Sequence, residues 1–187
     1  MRNQDDNLET MGGVFSCWKR IKRSKIALSI ARKIGHILGV YTVDEYMDLG
    51  RIITQETGIK RMILQIKQRK IGNIRGLCIE NWNNIGENLH LPHGQNIIIN
   101  NNAIVGNNCT IYQGVTIGFV ESGKHKGAPI VMDDCTIGPN VVIVGGHKIG
   151  RNTIIAGNSF VNFDVPPNSV VIGNPGRIHR KPDISSE

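Results

Sequence analysis

The chain has 187 residues, 40% of them hydrophobic and 20% charged, which is enough apolar material for a core and too much for a wholly disordered chain. Glycine fills 22 positions and aromatics only 5%, while Asn and Ile recur throughout, a composition that disfavours a helical bundle. The net charge of +7 is local: residues 1–70 hold 14 Lys/Arg against 7 Asp/Glu, and residues 71–187 hold 8 against 8, so the longer part of the chain must act through a site rather than a general basic field.

Residues 1–13 form a polar start whose first ten positions are acidic rather than basic then apolar, so no cleaved signal segment is expected there. From Trp18 to Leu38, apolar residues including Ile21, Ile26, Ile30, Ile34 and Ile37 alternate at mostly helical spacings with Lys19, Arg20, Lys22, Arg23, Lys25, Arg32 and Lys33. This pattern predicts a basic amphipathic helix with too many charges to span a bilayer. Thr42-Val43-Asp44-Glu45 fits a capping box, with a second helix expected from Val43 to about Thr57, ended by Gly58, and a third from about Lys60 to Arg69. Residues 1–70 are therefore read as a basic α-helical region. Its surface suits subunit packing or peripheral contact with the inner face of an anionic membrane; nucleic-acid binding is not expected, because no aromatic platform accompanies the charge.

After Ile71 the period changes to six. Val105-Gly106-Asn107-Asn108-Cys109-Thr110 is followed by Ile111-Tyr112-Gln113-Gly114-Val115-Thr116 and Ile117-Gly118. The phase restarts at Val131 and runs through Ile137-Gly138-Pro139-Asn140-Val141-Val142 and Ile149-Gly150-Arg151-Asn152-Thr153-Ile154 to Val161, and Ile85-Gly86-Glu87-Asn88-Leu89-His90 precedes it in the same phase. Such a period implies a corner: an aliphatic residue enters a narrow core, and Asn or Gly accepts the left-handed conformation at the bend. Three sides of six close a coil of 18, and coils stack by parallel pairing, so residues 71–187 are expected to form a mainly β domain, a parallel β-helix. Two interruptions mark places where a site can be built. Leu91 and Val105 lie 14 apart instead of 12, leaving two extra residues near Pro92-His93-Gly94, and residues 119–130 lack the repeat and should leave the solenoid as a loop.

Together these residues resemble the hexapeptide-repeat acyltransferases with a left-handed β-helix, and within them the serine acetyltransferase family. Pro92-His93-Gly94 resembles that family's Asp-His-Ala segment, Gln113 to Gly118 its loop-entering coil, and Asp164-Val165-Pro166-Pro167 with Gly173-Asn174-Pro175-Gly176-Arg177-Ile178 its C-terminal signature. The resemblance implies acetyl transfer from acetyl-CoA to a hydroxyl, with His93 as general base. The family's acidic partner of this His falls on Cys78, and Glu80, on the same side of an extended strand, is the candidate replacement carboxylate. Cys78 and the loop residue His125 are candidate acceptor contacts. The family's loop His falls on Ala128, which leaves the small-molecule acceptor open between serine and a saccharide of capsule, exopolysaccharide or O-antigen synthesis. Gly118, Gly138, Ala156 and Gly157 are implied to line the pantetheine groove, with Arg177 and Lys181 at the nucleotide phosphates. The resemblance also implies a homotrimer with sites between neighbours.

A zinc-dependent, carbonic-anhydrase-like protein is the remote alternative. It would draw on His93, His125 and His147, but the closely spaced His pair of such sites is missing, so no metal is expected. His90, His147 and His179 otherwise read as surface or packing positions and His36 as part of a helix face. Cys17, Cys78, Cys109 and Cys135 form no C-x-x-C pair, and a reduced, cytoplasmic chain is the simplest expectation.

Overall fold

The six-residue period is realised as three flat sides joined at sharp corners. The computed structural model describes residues 41–180; the expected helix at 18–38, together with Cys17, His36 and Lys181, lies outside them. The chain divides into two compact units, 1–42 and 43–187. The second begins with two helices, α1 (Val43–Gln55) and α2 (Gly58–Arg75). Helix α2 starts earlier and runs further than the spacing predicts. Its stop is Gly76, at φ 67°, whose N–H returns to the Gly72 carbonyl, a left-handed cap that glycine adopts without strain.

Three parallel sheets follow. The first stacks β1 (Leu77–Ile79), β2 (Ile97–Ile99), β5 (Thr116–Gly118), β8 (Val142–Val144) and β11 (Phe160–Val161). The second stacks β3 (Ile104–Val105), β6 (Ile130–Val131) and β9 (Lys148–Ile149). The third stacks β4 (Thr110–Ile111), β7 (Thr136–Ile137), β10 (Ile154–Ile155) and β12 (Ser169–Ile172), with β13 (Arg177–Arg180) added antiparallel to β12. The register measures each coil. Ile98 pairs with Thr116 and Val142 with Phe160, the expected 18 residues on. Leu77 pairs with Ile97, 20 on, and Thr116 with Val142, 26 on, so the two sequence interruptions are an enlarged first coil and an eight-residue excursion. The excursion closes one residue sooner than expected, because Ile130 already pairs with Ile104 and Lys148.

Each side contributes one aliphatic ladder to the interior. Ile99, Ile117, Ile143 and Val161 fill one side, Val105, Val131, Ile149 and Val165 the second, and Leu91, Ile111, Ile137, Ile155 and Val171 the third, all buried. Each such side chain contributes roughly 1.5–3 kcal/mol of apolar burial. Smaller residues, Cys109, Cys135, Thr153 and Ser169, stack where a corner narrows. The bends are held by side-chain amides and one carboxylate: Asn88, Asn108, Asp134, Asn152 and Asn168 all sit at positive φ, and Asn88 Nδ2 donates to Asn108 Oδ1 at 3.0 Å, Asn108 Nδ2 to the Asp134 carboxylate at 3.1 Å and Asn152 Nδ2 to Asn168 Oδ1 at 2.7 Å. The recurrent Asn in the composition is thus a hydrogen-bonded spine.

The first coil is covered by the helices. The Tyr46 hydroxyl donates to the Leu77 carbonyl at 3.4 Å and accepts from the Ile79 N–H at 3.0 Å, satisfying the edge of β1. Trp82 packs edge-on against Tyr46, and a side chain at Gly50 would strike its indole at 2.0 Å, so α1 lies directly on that ring. Glu45, placed in the first turn of α1, pairs with Lys67 of α2 at 2.9 Å. Among the described residues no helix is long and apolar enough to cross a membrane.

Candidate active site

The two extra residues of the first coil fall between Leu91 and Ile99, at the corner that carries His93. Pro92 and His93 form the turn, which the Gly94 N–H closes onto the Leu91 carbonyl at 3.3 Å. A Cβ on Gly94 would stand 2.6 Å from both γ-carbons of Val43, so the first residue of α1 props this corner from below. His93 is exposed at this turn. Its ring lies 6.2 Å from that of Tyr112, tilted by 47°. Tyr112 carries no motif of its own. The signal that finds it is the 20-residue step of the first coil, visible in the His90–Thr110 bridge, which sets the Tyr112 corner over the His93 corner.

Cys78 and Glu80 do share the outer side of the strand edge, as the two-residue period requires. The Cys78 thiol meets Glu80 Oε1 at 3.9 Å, and both line a cavity of about 660 Å³ between α2 and the first two coils, together with Gln65, Gln68, Arg69 and Asn101. His93 is not among its lining residues, so Glu80 turns to the thiol and the structure records no contact between its carboxylate and the imidazole. Burial, followed by the Glu80 charge and its hydrogen bond, pushes the Cys78 thiol up, and Arg69 opposes this. Removing the carboxylate should release thiolate. In Glu80→Gln, alkylation of Cys78 by iodoacetamide, followed by peptide mass spectrometry at about pH 8, is expected to run roughly 2- to 5-fold faster than in the parent chain.

The expected donor groove divides in two. Gly118 lies on the first sheet, where a Cβ would stand 3.3 Å from Val144 Cγ1. Gly138, Ala156 and Gly157 gather at one corner, where a Cβ on Gly138 would stand 2.6 Å from the Gly157 nitrogen. Two of their amides are already engaged: Gly138 N–H donates to the Ile155 carbonyl and Ala156 N–H to that of Val171, each at 2.8 Å. These small residues therefore serve coil stacking first, and any donor contact at Gly138 and Ala156 must use something other than those N–H groups. Arg177 is exposed at the start of β13.

His125 lies on the excursion loop, exposed, and its ring packs 4.6 Å from that of His147. The trio weighed for zinc is therefore split: His125 and His147 are brought together, and His93 pairs instead with Tyr112. Among the described residues no group of three or more His, Cys, Asp or Glu is arranged to hold a metal ion.

No family model matches the chain. Serine acetyltransferase 2 of Arabidopsis thaliana is 32% identical over 160 residues, 84% of this chain and 48% of that protein. The crystal structure of Neisseria gonorrhoeae serine acetyltransferase in complex with serine superposes with a TM-score of 0.58 at 28% identity, over 73% of this chain and 55% of that one. A serine acetyltransferase in complex with CoA shares the fold at 23% identity and a TM-score of 0.58, over 75% of this chain and 57% of that one. The chain spans about half the length of the curated relatives it matches. With its stacked 18-residue coils and asparagine corners, the chain has the left-handed β-helix fold of the serine acetyltransferases, to which it is similar over most of its own length.

Proposed function

We propose that the chain is an O-acetyltransferase that moves an acetyl group from acetyl-CoA to the hydroxyl of serine, with His93 as general base. The observation that carries this reading is the corner at His93. The repeat is broken there by two residues, and an exposed imidazole stands at the break in a chain whose relatives are serine acetyltransferases. A serine hydroxyl is a poor nucleophile at neutral pH. The imidazole takes its proton as the oxygen attacks the thioester carbonyl, and the same proton returns to the leaving thiolate when the tetrahedral intermediate collapses. Acetyl-CoA is the donor, in keeping with the CoA complex of a protein of the same fold. The chain acts as a homotrimer in this reading, since one thin solenoid face does not enclose a substrate.

The test is thiol release from acetyl-CoA by the purified protein, with L-serine in one arm and a panel of saccharides in the other. Serine-dependent release supports the reading. Release with a saccharide alone would move the acceptor to a sugar hydroxyl while leaving the chemistry of His93 in place, and release with neither would sink the proposal.

A further inference from the structure

The middle of the excursion loop is fastened to the solenoid at Gly145 and Gly146. Gly146 N–H donates to the His125 carbonyl at 3.0 Å and Gly145 N–H to that of Gly118 at 3.2 Å. The backbones touch so closely that a Cβ on Gly146 would stand 2.8 Å from the Lys126 carbonyl oxygen. Beneath this clasp His147 is 95% buried, its Nδ1 3.4 Å from Asp164 Oδ1, and its Nε2 is enclosed with no hydrogen-bond partner. The loop's own His125 covers the ring at 4.6 Å. Asp164 is anchored in turn by the Lys148 N–H at 2.8 Å; that bond and then the two imidazoles hold its carboxyl below the ordinary range.

We propose that His125 and His147 form a proton-sensitive latch that holds the excursion loop against the coil while at most one of the two rings is charged, and lets it go when both are. The inference rests on no assignment of activity. With its proton on Nδ1, facing Asp164, neutral His147 keeps Nε2 as a buried acceptor. A further proton would place an N–H where the structure offers no acceptor, and two imidazolium rings at 4.6 Å repel in a partly dry setting. The surrounding charges do not relieve this. Asp164 offsets one imidazolium, while Lys148 beside His147 and Lys124 and Lys126 flanking His125 add positive charge, and Glu121 stands at the start of the loop.

Hydrogen exchange on the full chain reads the latch directly. The Val120 and Gly127 amides, which bond each other's carbonyls at 2.9 Å, and the Gly146 amide report the loop, and the amides of β8 and β10 report the coils. After correction for intrinsic exchange, loop protection is expected to fall at least ~10-fold between about pH 7.5 and about pH 5, with the coils unchanged. His125→Asn, at an exposed position that leaves the backbone clasp intact, should cut that fall to less than ~3-fold, because the ring–ring repulsion is gone and only the cost of the buried Nε2 proton of His147 remains. Asp164→Asn should move the release to higher pH, because the closed state loses the carboxylate that tolerates the first proton. Loop protection that stays constant across this range in the parent chain, or a fall that stays as large in His125→Asn as in the parent, would overturn the latch.

Discussion

His93→Ala is expected to lower serine-dependent thiol release by roughly 10²–10⁴-fold, on the order of 3–5 kcal/mol of barrier, while acetyl-CoA still binds. The size follows from the chemistry: without a positioned base the hydroxyl must lose its proton to water during attack. The location makes the experiment clean. His93 is exposed on a turn whose geometry is set by Pro92, Gly94 and the Val43 contact beneath it, so truncating the imidazole leaves no cavity in any ladder. Thermal stability should stay near that of the parent, and titration calorimetry with CoA should give a similar affinity. Turnover that survives the substitution would move the base elsewhere, and loss of CoA binding would recast His93 as a donor contact. Glu80→Gln sharpens the result. The Glu80 carboxylate meets the Cys78 thiol, and if turnover falls in that variant nearly as far as in His93→Ala, the acidic partner of the imidazole is supplied from this pair.

Ile117→Ala should be the most damaging single truncation in the core, lowering stability by about 2–5 kcal/mol and shifting the urea midpoint accordingly. Ile117 is fully buried and central in its ladder, with Ile99 on one side and Ile143 on the other, both through direct strand pairing. A solenoid coil gains its core only from its neighbours, so a void here weakens two coil-to-coil contacts at once. It also lies one residue before Gly118, whose carbonyl accepts the Gly145 amide at the base of the excursion loop, so loosening should reach that loop as well. Ile178→Ala, at an exposed position on β13, serves as the control and should change stability by no more than about 0.5 kcal/mol. Equal losses in the two variants would mean that the ladders do not carry the stability.

Much of the architecture is legible in the sequence, because a hexapeptide period is a local property repeated many times. One Ile-Gly-x-Asn segment fixes little, but Ile111, Ile137 and Ile155 each place a side chain in the same ladder, and Asn108, Asn152 and Asn168 each take the same left-handed bend. Even the interruptions were countable, since the 14-residue step from Leu91 to Val105 becomes the 20-residue pairing of Leu77 with Ile97. What the period does not carry is any relation across coils or between side chains of different segments. Only the stacking puts Tyr112 beside His93, opens the cavity under Arg69, and buries His147 between His125 and Asp164. Those side-chain meetings join residues 17 to 22 positions apart and depend on how far each coil departs from 18. The local repeat thus determined the fold and the position of the candidate base, because each bend is chosen by the residues within it; the surroundings of that base and the fastening of the loop were decided by tertiary structure, because coil length and long-range contact set them.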